Sequence, residues 1–339
     1  METTQLNNII PAERVAFVTN AIKNTFGQDA SDIILLKGGL SGAGVYKIMV
    51  AAIPYVLKLD APGVADIYAT TSIAAAAGIA PKVFYADHTE GVSIYEFIEA
   101  KPIRESFTDP AELASELGKL IRKLHGMPVF EKTNDMRAMA DGFIAQFKAS
   151  NVLTGAAFEE AFTYYDRIKE VYPWHDTDKV SSHNDLNPNN ILFDGERIRI
   201  IDWDAAFAND RYVDLAIAAI SFASVFKLER ALLAAYFGDT MDDYRYARFF
   251  LMRQICRLIY ATLMFQLSAA VIEELTAQYP ESLQFTSADI GRLAQEGRFD
   301  ITKAEGQFYY GIALFNDALN AMRSKGFDAA MDIVGSSSR

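Results

Sequence analysis

The stretch SSHNDLNPNNILFDGERIRIIDWD, Ser181 to Asp204, decides how the rest of the chain is read. Its centre, ILFDGERIRIID, is two short β-branched runs on either side of Asp194-Gly195, a strong short-range hairpin signal. With a connection from Asp194 to Arg197, Phe193 faces Ile198 and Asn190 faces Ile201. Asn190 and Asp202 then emerge side by side at the open end of the hairpin. Asp185 precedes Asn190 in a segment that Pro188 keeps out of helix. An amide oxygen and a carboxylate converging at a hairpin mouth suit a hard divalent cation, and a second carboxylate nearby suits a general base. The combination points to phosphoryl transfer.

The chain has 339 residues, enough for two lobes that each bury a core. An apolar fraction of 51% and a charged fraction of 22% are those of a soluble globular protein. The longest apolar run, Leu215 to Phe226, is about half a bilayer span, so it is expected to be a buried helix with no membrane insertion. The first residues, METTQLNNII, carry neither a basic run nor a long apolar run, and Cys256 is the single cysteine. Both fit a cytoplasmic protein. A net charge of -12 argues against nucleic acid or an anionic membrane as partner and is compatible with a cationic substrate.

Working outward, residues 11–26 have helical spacing and stop at Gly27. Strand-like pieces follow at 33–37, 45–50 and 55–59, then an Ala-rich helix at 64–77, then strands at 82–86 and 92–98. These predict a five-stranded, mostly antiparallel sheet with one helix across it. After Glu99 the texture becomes helical. Asp109-Pro110-Ala111-Glu112 is a strong helix start, and Leu113, Leu117, Leu120, Ile121 and Leu124 form one stripe. Further helices are expected near 135–150, 156–170, 210–237, 242–278, 287–297 and 302–325. The expected organisation is an N-terminal nucleotide-binding lobe over 1–98, a C-terminal helical lobe over 99–334, and a disordered tail at 335–339.

Two features N-terminal to the hairpin bear on chemistry. GGLSGAG, Gly38 to Gly44, lies between two strands, which disfavours a dinucleotide fingerprint, and it lacks the Gly-Lys-Ser/Thr of a P-loop. A flap laying backbone N–H groups over phosphates remains, as does an ordinary glycine-rich hairpin. Lys58, in YVLKLD, shares a strand face with Val56. It reads either as a solvated edge charge or as a cation placed for nucleotide phosphates.

The order of glycine flap, strand lysine, capped helix, His-x-Asp-x4-Asn, hairpin and Asp-Trp resembles the aminoglycoside phosphotransferase/choline kinase superfamily. The matching segments are GGLSGAGVYKI (38–48), VLKLD (56–60), GIAPKVFY (78–85), IYEFIEAKPI (94–103), LGKLIRKLH (117–125), SHNDLNPNNILF (182–193) and IDWDAAFANDRYVDLA (201–216). The resemblance implies an α+β, protein-kinase-like, two-lobed fold, with a small antiparallel sheet in one lobe and a larger helical second lobe. It implies ATP and Mg²⁺ as cofactors and a small-molecule hydroxyl as acceptor. Asp185 would accept or orient the proton of the attacking hydroxyl, and Asn190 and Asp202 would hold Mg²⁺. Lys58 would contact the α/β-phosphates, with Gly39, Ser41, Gly42 and Gly44 over them. Backbone groups from Glu96 to Ile98 would face adenine. His183 would brace the loop, and Asp214 would tie the loop to the following helix.

Three positions depart from the family pattern. Asn184 stands where Gly is usual between His and Asp, and Asn187 where the aminoglycoside enzymes often have His. The helix after Lys58 has no Glu to pair with it, only Asp66. The HNDLNPNNILF and IDWDAAFANDRYVDLA segments lean toward the choline/ethanolamine kinase branch. That branch implies a cationic amino alcohol held by aromatic faces and carboxylates, for which Asp204, Trp203 and Tyr212 are candidates. An aminoglycoside or another hydroxylated metabolite such as thiamine or homoserine is the alternative acceptor. A nucleotide-binding pseudokinase is the alternative of another class.

Overall fold

The computed structural model describes residues 9–36, 44–63, 65–175 and 179–337. The expected glycine flap at Gly39, Ser41 and Gly42 therefore lies outside the described residues, as does the side chain of Asp66. The chain divides into two compact units. One comprises residues 1–132 and 180–208, and the other residues 133–179 and 209–339.

The first unit opens with helix α1 (Val15–Phe26), which buries Val15, Val18, Ala21 and Ile22. Gly27 ends it in the left-handed region at φ 71°, returning its N–H to the Lys23 carbonyl. Five strands follow: β1 (Asp32–Leu35), β2 (Gly44–Val50), β3 (Ile53–Leu59), β4 (Val83–Asp87) and β5 (Val92–Glu96). They form the expected five-stranded antiparallel sheet, in the order β1-β2-β3-β5-β4. Helix α2 (Ala65–Ala76) is inserted between β3 and β4. One face of the sheet carries Ile48, Leu57 and Ile94, all fully buried, and packs against Val18 and Ile22 of α1.

Helix α3 (Pro110–His125) starts as its sequence predicts. Asp109 accepts the Ala111 N–H at 2.9 Å, and Leu113, Leu117, Ile121 and Leu124 are buried. The remaining strands are β6 (Lys179–Ser182), β7 (Ile191–Phe193), β8 (Ile198–Ile200) and β9 (Phe207–Asp210). β7 and β8 form the expected hairpin, with Phe193 opposite Ile198. The Asp194 carboxylate closes its turn by accepting the N–H groups of Glu196 and Arg197 at 2.8 and 2.7 Å. The hairpin is tied to its own unit by backbone bonds from Lys101 N to Phe193 O and from Ile200 N to Ile79 O. The compact unit thus takes in α3 and the hairpin together with the sheet.

The second unit contains helices α4 (Met136–Ser150), α5 (Ala156–Val171), α6 (Arg211–Phe222), α7 (Phe226–Phe237), α8 (Asp243–Leu267), α9 (Ala269–Gln278), α10 (Ser287–Gln295), α11 (Ala304–Met322) and α12 (Lys325–Ser337). α8 runs through its core and packs on α4, α6, α11 and α12. Phe147, Phe158, Phe265 and Phe315 form an aromatic cluster there, in which Phe158 stacks on Phe315 and meets Phe265 edge-on. Glu229 is buried in an ion pair with Arg253 and accepts the Tyr246 hydroxyl at 2.6 Å, so the charge is not left unpaired.

Several helix boundaries differ from the expectation. The helix predicted over 210–237 is broken after Phe222, where Ala223 leaves the helical region. The one predicted over 242–278 bends by 93° at Ser268, whose hydroxyl donates to the Met264 carbonyl at 2.6 Å. The helix predicted over 302–325 ends at Met322, and a further helix, α12, follows. Gly335 to Ser337, expected to be disordered tail, belong to that last helix, anchored by buried Phe327 and Val334. Residues 338–339 lie outside the described residues. Among the described residues no single helix is long and apolar enough to cross a membrane; α8 and α9 pass that test only as a bent pair.

Gly91 enters β5 at φ 62°, and a Cβ there would run into the Asp60 carbonyl. Gly91→Ala is expected to destabilise the fold by about 1–3 kcal/mol through backbone strain. The midpoint of urea unfolding at unchanged slope checks this.

Candidate active site

The first unit brings Lys58, Asp185, Asn190, Asp202 and Asp204 onto three local frames. Lys58 is placed by β3, where it pairs with Val45 on one side and Ser93 on the other. Asn190 is the last residue of a short 3-10 turn that starts at Asn187, whose side chain caps the Asn189 N–H. The Ile201 N–H donates to the Asn190 carbonyl at 2.9 Å, which sets the mouth of the hairpin as the sequence register predicts. Asp202 follows in the left-handed region at φ 62°, a conformation carboxylate residues adopt more readily than most.

The Asn190 amide donates to both the backbone carbonyl and the Oδ2 of Asp185, at 2.9 and 3.0 Å. Its NH₂ is thereby spent on Asp185, and its oxygen is the group left to act as a ligand. Asp185 is half-buried and held in place by that contact. Lys58 Nζ lies 2.7 Å from Asp204 Oδ1, 3.2 Å from Asp60 Oδ1 and 3.7 Å from Asp202 Oδ1. Burial opposes its charge, but the carboxylates of Asp204, Asp60 and Asp202 outweigh that and hold the ammonium above the ordinary lysine range. Burial, and next the nearby charge of Asp204, push the Asp202 carboxyl above its ordinary range, with Lys58 and His183 opposing.

These residues fit Mg²⁺. Asp202 Oδ1 is buried without a hydrogen-bond partner. Three carboxylates against one ammonium leave two negative charges to balance. Oxygen donors in so small a set suit a hard cation that takes the rest of its shell from phosphates and water. No group of three or more His, Cys, Asp or Glu side chains among the described residues forms a metal cage of its own.

The loop is braced from behind. His183 is fully buried; its Nε2 meets the Ile201 carbonyl at 3.0 Å and its ring packs edge-on against Trp203. Asn184, at φ 65°, occupies the left-handed position where the family usually has Gly. Its side-chain amide reaches the carbonyls of Ser182, Ala205 and Phe207. Asn thus keeps the turn and adds a lock that Gly could not make. Asp214 is buried in the first turn of α6.

The expected acceptor-binding side chains are placed differently. Trp203 is 2% exposed, with its indole N–H donating to the Ile200 carbonyl, and offers no aromatic face. Tyr212 is 3% exposed beneath the Arg248 guanidinium. Asp204 is engaged by Lys58. Of the segment expected to face adenine, the Glu96 N–H is taken by the Lys82 carbonyl and Ile98 is buried. Gly44 opens β2 opposite Leu59. Sequence reasoning missed Asp60, although it stands just past β3 and two residues after Lys58, the spacing that puts side chains of an extended chain on one face.

A family model described as the phosphotransferase enzyme family (APH) matches residues 32–250. Solved structures share the fold. A choline/ethanolamine kinase family protein from Mesorhizobium loti is 21% identical, with a TM-score of 0.70 over 96% of this chain and 99% of that one. The choline kinase LicA from Streptococcus pneumoniae is 15% identical, with a TM-score of 0.56 over 91% and 99%. A spectinomycin phosphotransferase in complex with ADP and spectinomycin is 16% identical, with a TM-score of 0.56 over 74% and 87%. At these identities the likeness is one of fold. An uncharacterized protein of Metamycoplasma hominis is 43% identical over 53 residues, which are 15% of this chain and span only 11% of that relative's length.

Asn184→Gly is expected to keep the turn and cost about 1–2 kcal/mol, the loss of the side-chain lock. Asn184→Val is expected to cost more, because a β-branched residue resists positive φ. Thermal unfolding of the two variants against wild type checks the order.

Proposed function

The chain belongs to the phosphotransferase enzyme family, and we propose that it moves the γ-phosphate of ATP to a hydroxyl of a small molecule, a choline- or ethanolamine-like amino alcohol. The observation that carries this reading is the grouping, in one compact unit, of Asn190 and Asp202 at the hairpin mouth with Lys58 beside Asp202 and Asp185 on Asn190.

In this reading Asp185 orients the acceptor hydroxyl and takes its proton as the oxygen attacks. Asn190 and Asp202 would hold Mg²⁺, which when bound with the nucleotide neutralises charge on its phosphates. Lys58 offers a point charge to the α/β-phosphates; Asp204 and Asp202, each about a third exposed, are the carboxylates it would exchange for them. The fixed hydrogen bonds around Asn190 and His183 mean that little reorganisation is needed when charge develops. The amino-alcohol acceptor is supported by the HNDLNPNNILF and IDWDAAFANDRYVDLA segments and by the net charge of -12. Trp203 and Tyr212 are buried, so recognition of the acceptor falls to other side chains.

ADP release from Mg-ATP, measured against choline, ethanolamine, thiamine, homoserine and a panel of aminoglycosides, is expected to be fastest with an amino alcohol. Release only with an aminoglycoside would move the acceptor class. Tight ATP binding without release on any acceptor would overturn the reading in favour of a pseudokinase. Asp185→Asn and Asp202→Ala are each expected to lower turnover by about 10²-fold or more, and His183→Gln by much less. Near wild-type turnover of Asp202→Ala would remove the basis of the assignment.

A further inference from the structure

Lys58 has a third carboxylate whose situation differs from the other two. The side chains of Asp202 and Asp204 are 34% and 32% exposed, whereas that of Asp60 is 6% exposed. Asp60 divides its two oxygens. Oδ1 meets Lys58 at 3.2 Å, and Oδ2 accepts the hydroxyl of Tyr68 at 3.2 Å. Tyr68 sits on α2 and is itself 6% exposed. Family resemblance calls for a Glu on this helix to hold the lysine, and the helix has none.

We propose that Asp60 and Tyr68 form a relay from α2 to Lys58, standing in for the absent helix glutamate and acting as positioning residues for the phosphoryl transfer proposed above. The inference rests on that reading. Three observations support it. First, the backbone at Asp60 is pinned. Its N–H donates to the Gly91 carbonyl at 2.9 Å, and its carbonyl accepts Arg14 Nη1 at 3.1 Å. Arg14 also donates to the carbonyls of Glu90 and Gly91, at 2.5 and 2.9 Å, so the end of β3 and the start of β5 are clamped together. Second, a buried carboxylate needs a permanent partner, and Lys58 with Tyr68 satisfies both of its oxygens. Third, burial, and after it the charge of Asp60, push the Tyr68 phenol above its ordinary range, which keeps it a hydrogen-bond donor.

The division of labour follows. Phosphates arriving at Lys58 displace the two exposed carboxylates, while Asp60 stays and fixes where the ammonium points. A displacement of α2 reaches Lys58 through the Tyr68 hydroxyl and the Asp60 carboxylate.

The test uses the full chain in five forms: wild type, Asp60→Asn, Tyr68→Phe, the double variant, and Tyr85→Phe. Tyr85 makes the same kind of Tyr–Asp contact on β4, with Asp87, but has no link to Lys58. Mg-ATP affinity is read by titration. Steady-state ADP release on the best acceptor of the panel gives kcat and the KM values for ATP and acceptor. Asp60→Asn is expected to lower kcat/KM for ATP by about 10- to 100-fold, and Tyr68→Phe by about three- to tenfold, with KM for the acceptor unmoved. In the Asp60→Asn background Tyr68→Phe is expected to cost nothing further, because its route to Lys58 is already cut. Tyr85→Phe is expected to match wild type. Variants within twofold of a wild type that binds and turns over Mg-ATP would overturn the relay while leaving the phosphotransferase reading intact. Additive losses, or losses equal to that of Tyr85→Phe, would overturn it as well. A wild type that does not bind Mg-ATP would overturn the phosphotransferase reading itself. If Asp60→Asn fails to fold, Tyr68→Phe, which keeps the ring packing, decides alone.

Discussion

A lysine side chain only 12% exposed, set among three carboxylates, is the constraint on which the site depends. Lys58 could not stay charged at that depth without compensation. The compensation arrives from two directions: Asp60 from just past the end of β3, and Asp202 with Asp204 from the residues that follow the hairpin. Strand and hairpin are thereby joined by charge, through side chains far apart in sequence. The excess of carboxylate over ammonium is also what gives the group its appetite for further positive charge.

Most of the remaining architecture serves to keep that group still. Arg14 holds the ends of β3 and β5 together through three carbonyls. His183, Trp203 and Phe130 pack beneath the loop that carries Asp185, and Asn184 locks the turn above them with its amide. Two residues, Asn184 and Asp202, sit at positive φ on either side of the hairpin. Strained backbone at a reactive centre is common where surrounding structure over-determines it, and here hydrogen bonds on both sides do so.

The second unit is built on a different principle. Its long central helix carries Arg248, Arg253 and Arg257 into near-complete burial, each with carboxylate or amide partners. Burial, together with Arg253 nearby, draws Arg257 down to about 10, while Asp317 and Glu229 oppose the fall. Such pairs contribute little net stability over apolar packing, whereas removing one partner of a buried pair is strongly destabilising. No periodicity rule reveals them, since a helix with arginines at these spacings reads as partly solvated until its partners are known.

What the sequence by itself determined is local. The Asp194-Gly195 turn set the hairpin register, and with it the pairing of Asn190 with Ile201. Asp109-Pro110 set the start of α3, and the succession of strand-like segments set the five-stranded sheet. These follow from turn chemistry, capping and period, which act over a few residues. Only the tertiary structure decided which side chains were left to face a ligand. Trp203 and Tyr212 have the chemistry of a cation site but were drawn into the core, because an aromatic ring gains more from burial than from waiting in water. Asp60, inconspicuous in VLKLD, became the innermost partner of Lys58, because the turn at Gly91 and the clamp of Arg14 close that end of the sheet around it. Exposure and ion pairing depend on what comes to lie alongside, and that information is not local to any stretch of the chain.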